Sequence, residues 1–478
     1  MRRHHDLQQI RRPLIFAACL LLLACGPTAD DLGNNVKVPY NQKPNIIIIF
    51  ADDQGYGDVG CYGSPNIRTP NIDRLAQEGM KLTNFYAFPS CSPSRAALLT
   101  GCYPPRVGFP DVIGPPGPAW TTDKQYGLSQ EETTLPEILK KVGYATAIIG
   151  KWHLGHFTES MPLKHGFDTY FGLPYSNDMV PTENEEWQDL PLLSGEDTLS
   201  LNPDQSQLTK QYTEKAVAFI KEQNKQPFFL YLAHSMPHVP LFASAEFKDR
   251  SEKGIYVDVI EEIDASVGEI VRELDHLNIT DNTLIIYTSD NGPWLSYGNH
   301  AGSAGRFREG KGTTYEGGMR VPMLAHWPGH IPAGAVNHSP ASLIDILPTL
   351  VAITETTKPS AEIDGRDLSS LFLHNVSPTI EPFYYYRSGN VDAVRLGEWK
   401  LHQPHWFRSV EVPGNDGVRG KYAYRNTELE LYNLLNDPAE EYNVAANHPK
   451  IVADLQALIS QEQTEMDQEK REPFRPQQ

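Results

Sequence analysis

The chain has 478 residues, a formal net charge of −19, 40% hydrophobic residues and 21% charged residues. These figures describe a globular protein long enough for more than one folding unit. They argue against a nucleic-acid partner, which would need a basic face, and they mean that an anionic ligand must be drawn in by a local cationic pocket.

Residues 1–25 read as a targeting segment. Arg2, Arg3, Arg11 and Arg12 give a positive start, and the apolar run over 14–24 is short for a bilayer span. The run ends in Leu22-Leu23-Ala24-Cys25-Gly26, which resembles a bacterial lipoprotein lipobox. That resemblance implies cleavage before Cys25, lipid attachment to it, and export to the periplasm or cell surface with the membrane touched only through the anchor. Residues 26–43 are polar and aperiodic, as a tether would be. Of the five cysteines, Cys19 leaves with the leader and Cys25 is the expected anchor. Cys61 and Cys102 could pair in an exported chain or remain two buried thiols.

Ile46-Ile47-Ile48-Ile49-Phe50 reads as a strand buried on both faces of a parallel sheet. Asp52 and Asp53 follow at its C-terminal end. Two adjacent carboxylates leaving a buried strand repel each other and are easiest to explain around a hard cation, Ca²⁺ or Mg²⁺. Gly55-Tyr56-Gly57-Asp58-Val59-Gly60 spells G-x-G-x-x-G, but a dinucleotide fingerprint opens a helix directly after its strand. Here turn residues follow, so a nucleotide site is rejected. Thr69 to Ala76 begins a short helix, and a loop then leads to Cys91.

Cys91-Ser92-Pro93-Ser94-Arg95-Ala96-Ala97-Leu98-Leu99-Thr100-Gly101 places a cysteine at the mouth of a short helix. Pro93 suits an early helical position, the next residues are helix formers, and Gly101 is a left-handed stop. Free N–H groups and the positive helix end gather at Cys91, a place suited to an anion, and this position predicts a lowered thiol pKa. The stretch resembles the signature of the type I, formylglycine-dependent sulfatases, arylsulfatase-like members of the alkaline phosphatase superfamily. The resemblance implies that a maturation enzyme oxidises Cys91 to formylglycine (3-oxoalanine), whose hydrate supplies the nucleophile. It also makes residues 44–63 the opening of a sulfatase, with Asp52 and Asp53 as metal ligands and Arg95 in the catalytic set.

Thr134-Leu135-Pro136-Glu137 is a capping box that starts a helix ending at Gly143. A strand over 144–149 then runs into Gly150-Lys151-Trp152-His153-Leu154-Gly155. In extended chain a lysine and a histidine two apart project to the same side. The segment resembles a family motif in which Lys151 binds sulfate and His153 is an acid/base group. Ser176 resembles a substrate-contacting serine. A helix over 212–223 and a strand over 228–233 lead to His234-Ser235-Met236-Pro237-His238. The family keeps a histidine here that positions the sulfate and protonates the leaving oxygen. Spacing to the proline selects His238, with His234 as the alternative.

Apolar residues recur at helical spacing from about 257 to 277. A strand over 283–288 then delivers Asp290 and Asn291, two more oxygen ligands, which with Asp52, Asp53 and an oxygen on the modified Cys91 make a Ca²⁺ shell. Lys311, in a glycine-rich loop over 305–318, resembles the family's second sulfate-binding lysine. Strand ends thus deliver Asp52-Asp53, Lys151-His153, His238 and Asp290-Asn291, and in an open α/β sheet ligands bind at the C-terminal strand ends.

A helix over 344–352 closes the core. Beyond about 373 short strands near 383–386, 393–396, 399–401 and 430–434, then one amphipathic helix, predict an antiparallel α+β subdomain. The expected architecture is α/β: a large mixed, mostly parallel sheet sandwiched by helices (44–373), with a small C-terminal antiparallel α+β subdomain (374–478). The expected function is calcium-dependent hydrolysis of a sulfated small molecule or glycan. The rival readings are a phosphomonoester or phosphonate hydrolase of the same superfamily and a non-enzymatic sulfated-glycan binder.

Overall fold

The computed structural model describes residues 43–115 and 125–476. The leader, the lipobox with Cys25 and nearly all of the expected tether lie outside the described residues. The large sheet takes its strands in chain order from β1 (Asn45–Ala51), β2 (Met80–Tyr86), β3 (Ala145–Gly150), β4 (Thr169–Gly172), β5 (Pro191–Ser194), β6 (Asp197–Leu201), β7 (Phe228–Ala233), β8 (Thr283–Ser289), β9 (Arg320–His326), β10 (Ala335–Asn337) and β11 (Ala341–Ser342). In space the order is β10-β2-β9-β8-β1-β7-β3-β4-β5-β6, with β11 also on β2. The centre, β8-β1-β7-β3-β4, is parallel, and β9, β5 and β6 join antiparallel. This is the mixed, mostly parallel sheet expected.

Every residue of β1 is buried. Ile47 and Ile49 pack into a core with Ile72 and Leu75 of α1 (Pro70–Glu78), Leu208 and Tyr212 of α4 (Leu208–Gln223), and Ile260 and Ile263 of α5 (Ile255–Leu277). The alternate residue Phe50 turns to the opposite face, where the Arg95 guanidinium of α2 (Cys91–Thr100) lies 5.4 Å from its ring. α2 packs there with α3 (Leu135–Lys140) and with α7 (Ile346–Ile353), while the four-residue α6 (Glu316–Met319) leads into β9. Burial on both faces is what a continuous β-branched run in a parallel sheet requires.

After α8 (Ser369–His374) comes the small antiparallel sheet, β12 (Phe383–Arg387), β13 (Asn390–Leu396), β14 (Trp399–His402) and β17 (Glu430–Asn433), with α9 (Pro449–Glu469) against it. The sequence reading found these four strands and the helix. It missed the hairpin of β15 (Trp406–Val412) and β16 (Lys421–Asn426) that the chain inserts between β14 and β17. A buried charge cluster fixes the small sheet to the large one. Lys400 of β14 donates to Glu316 at 3.0 Å and pairs with Glu440 at 2.9 Å, while Tyr86 of β2 and Tyr385 of β12 donate to Glu316. Cys61 and Cys102 are free thiols.

Candidate active site

Four consecutive parallel strands end at one place. β8 hands on to Asp290 and Asn291, β1 to Asp52 and Asp53, β3 to Lys151 and His153, and β7 leads to His238. Gly150 makes the close approach at the end of β3: it has φ +117, and a Cβ there would lie 1.8 Å from the Ala233 carbonyl. Facing these ends is Cys91, the first residue of α2. Ser94 accepts the Phe88 N–H at 2.9 Å and fixes the entry to the helix. Gly101, φ +71, closes the helix by donating to the Ala97 carbonyl, as the sequence predicted.

All of α2 is buried, so the Arg95 charge must be paired. Its guanidinium donates to Asp290 Oδ2 at 2.8 Å and to the Lys151 carbonyl at 3.0 Å, and lies 3.6 Å from Asp52 Oδ2. Lys151 Nζ donates to Asp52 Oδ2 at 2.6 Å and to Ser176 Oγ at 3.1 Å. Lys311 Nζ donates to Asp53 Oδ2 at 2.9 Å, and Asn291 Nδ2 donates to Asp53 Oδ1 at 2.7 Å. The Asp53 N–H donates to Asp290 Oδ1 at 3.0 Å. Three buried carboxylates are thus balanced by three buried cations.

Asp52, Asp53 and Asp290 each present an oxygen within 4.8 Å of the others, and Asp52, Cys91 and His238 form a second such group. Burial and the neighbouring carboxylates push Asp53 up to about 7 against the pull of Lys311, and burial with Asp52 raises Asp290. Burial also acts upward on Asp52, but Lys151, Arg95 and Lys311 outweigh it and hold that carboxyl below its usual range. Asp52 Oδ1 and Asn291 Oδ1 are buried without a hydrogen-bond partner. Unpaired buried oxygens beside crowded carboxylates are costly, and the all-oxygen donor set fits Ca²⁺ or Mg²⁺.

His238 Nδ1 lies 2.6 Å from the Val239 carbonyl, which only accepts, so Nδ1 carries the proton of the neutral ring. Its bare Nε2 lies 3.5 Å from Ser176 Oγ and 3.7 Å from Asp53 Oδ2. His153 has the opposite tautomer: Nε2 donates to the Ile113 carbonyl at 3.1 Å, and Nδ1 is buried without a partner. Burial and the nearby lysines hold both histidines well below their usual pKa. His234 is buried with both nitrogens unpartnered and stands 6.5 Å from the Tyr212 ring, away from the cations that bear on His238.

Two expectations are corrected. The helix terminus does not lower the Cys91 pKa: burial dominates, outweighs Lys151 and Lys311, and pushes the thiol up to about 11. Lys151 and His153 do not share a wall through extended chain, because His153 sits at φ 58, in the left-handed region. The backbone turns there to bring the ring into the site.

Cys91, His153, Ser176, His238 and Lys311 line a cavity of about 610 Å³. Trp294, which the sequence reading did not single out, lines it as well, its ring 4.4 Å from Lys311 Nζ and 5.4 Å from the His238 ring. An aromatic residue after an Asn-Gly-Pro turn carries no signal in the sequence. Arg408 and Arg419 of the tail hairpin also line the cavity and were equally invisible to motif reading.

The sulfatase family model matches residues 44–356, and the model of the C-terminal region of aryl-sulfatase matches residues 379–474. The chain is 43% identical over 426 residues to N-acetylgalactosamine-6-sulfatase from Sus scrofa, covering 84% of this chain and 81% of that protein. It is 38% identical over 453 residues to arylsulfatase A from Homo sapiens, covering 87% of each. Among solved structures, the PsFucS1 sulfatase from Pseudoalteromonas sp. superposes with a TM-score of 0.80 at 28% identity, over 90% of this chain and 92% of that one.

Proposed function

Because this chain belongs to the sulfatase family and is a sulfate-ester hydrolase, we propose that it works through a formylglycine made from Cys91 beside a Ca²⁺ ion. The observation that carries the reading is the placement of Cys91 in one buried site with three carboxylates, two lysines and two unpaired oxygens. Asp52, Asp53, Asp290 and Asn291 would hold the metal. When present, the metal supplies positive charge to the sulfate oxygens and the formylglycine supplies the attacking oxygen.

The chain's own side chains do the rest. Lys151 and Lys311 are tied to Asp52 and Asp53. Where those carboxylates are shared with a cation, the two ammonium groups are free to donate to sulfate oxygens, a preorganised arrangement that needs no reorientation of solvent. Arg95, held by Asp290 and the Lys151 carbonyl, stays as a fixed countercharge. Burial and the charges of Lys311 and Lys151 keep His238 neutral. A bound sulfate offsets those charges, which lets Nε2 take a proton and pass it to the leaving oxygen. Ser176, within reach of both Lys151 and His238, steers the ester oxygen between them. His153 Nδ1, unpartnered in the same cavity, is the remaining base.

Cys91 must meet a formylglycine-generating enzyme before α2 is buried, so maturation precedes or accompanies folding. The Leu22-to-Gly26 sequence supports lipid attachment at Cys25 and an exported location. Among the described residues no helix is long and apolar enough to cross a membrane. Cys91→Ala tests the mechanism. It should abolish hydrolysis of 4-nitrophenyl sulfate with the thermal transition retained, and normal turnover would refute it. A parallel assay on 4-nitrophenyl phosphate should favour the sulfate; a preference for phosphate would support the phosphoester reading.

A further inference from the structure

Cys91, Ser176, His238 and Lys311 account for one sulfate group, yet the cavity lining carries further cations that these residues do not use. Arg408 of β15 and Arg419, in the turn of the β15–β16 hairpin, line the cavity. Neither forms an ion pair with a carboxylate among the described residues. Both are instead set on aromatic faces: Arg408 lies 5.1 Å and Arg419 5.0 Å from the Tyr422 ring, and Arg419 lies 5.3 Å from the Trp294 ring. The rings themselves are held. Trp294 Nε1 donates to the Tyr422 hydroxyl at 2.8 Å, and that hydroxyl donates to Ser296 Oγ at 2.9 Å.

Unpaired guanidinium groups at fixed positions, in a chain of net charge −19, are a local departure from the overall field. The distance from Lys311 to Arg419 is bounded by Trp294, because Lys311 Nζ and Arg419 Cζ lie 4.4 Å and 5.3 Å from the centroid of the same ring. Lys311 Nζ and Arg419 Cζ are therefore no more than about 10 Å apart, a span that the substituents of two linked sugars can bridge. Arg408 also reaches Gly312, the residue after Lys311. Asp178 and Glu183 line the cavity as well, so an anion bound there would be repelled by these carboxylates and drawn to the guanidinium groups. Trp406, 50% exposed, lines the same cavity with the Arg387 guanidinium 4.6 Å from its ring, and the exposed part of the indole adds apolar surface for a sugar.

We propose that Arg408 and Arg419 form a second anion subsite. It binds a carboxylate or sulfate on the sugar next to the one that loses its sulfate, and so selects polyanionic saccharides over aryl sulfates. This inference rests on the sulfatase reading above and names its substrate class. Guanidinium groups suit either anion, since their fork geometry matches both.

The test uses matured enzyme and four substrates: 4-nitrophenyl sulfate and three disaccharides that share one sulfated sugar but carry on its neighbour no charge, a carboxylate or a second sulfate. The wild type should prefer at least one charged disaccharide over the neutral one by tenfold or more in kcat/KM, through KM. Which of the two is preferred identifies the anion. Arg408→Ala/Arg419→Ala should remove that preference, and Arg408→Lys should keep part of it, which separates lost charge from a disturbed hairpin. No preference in the wild type, or a preference that survives in the double variant, overturns the proposal. If no sulfate ester is turned over, the sulfatase reading itself fails, and calorimetric titration of the same disaccharides decides the subsite. Weaker binding to the double variant then supports it, and equal binding overturns it.

Discussion

The Arg95 guanidinium donates to Asp290 Oδ2 at 2.8 Å, with both side chains fully buried. The contact ties the helix that begins at Cys91 to the end of β8, so it sets the position of Cys91 relative to the carboxylates. Arg95→Ala leaves Asp290 and Asp52 facing each other without their shared cation. Breaking a buried pair by removing one partner costs about 3–5 kcal/mol. Urea denaturation should show a loss of that size, and Arg95→Lys should restore it only in part, because a single ammonium nitrogen does not reproduce the separate Nη1 and Nη2 positions from which the guanidinium fork reaches the Lys151 carbonyl and Asp290. An unchanged midpoint in Arg95→Ala would contradict this role.

The unpaired Asp52 Oδ1 and Asn291 Oδ1 predict a metal requirement visible in stability as well as in turnover. Chelation should abolish activity. Returning Ca²⁺ at a hundredfold excess over its Kd should stabilise the fold by about 2.7 kcal/mol. Asp290→Asn should blunt that gain. Identical thermal midpoints in chelator and in Ca²⁺ would rule out the site.

His238 offers its bare Nε2 to the cavity and is the expected donor to the leaving oxygen. General acid catalysis contributes roughly 10²–10⁴-fold, and it matters most for leaving groups that are poor without a proton. His238→Gln should therefore slow a sugar sulfate far more than 4-nitrophenyl sulfate. Equal losses on both would assign His238 to positioning instead.

Burial raises the Cys91 thiol to about 11, so in unmatured, chelated protein it is protonated at neutral pH. The thiolate is the reactive form. At pH 8 only about one thiol in a thousand would be ionised, against roughly a quarter for a free cysteine of pKa ~8.5. Alkylation of Cys91 by iodoacetamide should be slow at pH 8 and should rise steeply only as pH approaches 11. Rapid labelling at pH 7 would restore the lowered pKa that the helix terminus alone suggests.

The strands that build the site were legible because they are buried on both faces. β1 and β7 are nearly continuous apolar runs, β8 has Leu284 to Tyr287 at its centre, and chemistry-bearing residues follow each within a few positions. The strands that were missed lack that signature. β2 mixes Lys81, Thr83 and Asn84 with its apolar residues, and β9 contains Pro322, which reads against a strand inside a sheet, though β9 lies between β2 and β8. The strand-end part of the site could be read because strand ends converge by topology. Trp294, Arg408 and Arg419 could not, since they meet only through the fold of the tail onto the large sheet. The Cys91 pKa was misjudged for a related reason: the helix end was visible in the sequence, but the burial that outweighs it is a tertiary property.

The most direct test is the mass of the tryptic peptide spanning residues 82–95, which ends at Arg95 and contains Cys91, taken from active protein made in its native host. Formylglycine chemistry requires an aldehyde in place of the thiol, and the peptide should carry one. An unmodified cysteine in protein that still hydrolyses sulfate esters would contradict it.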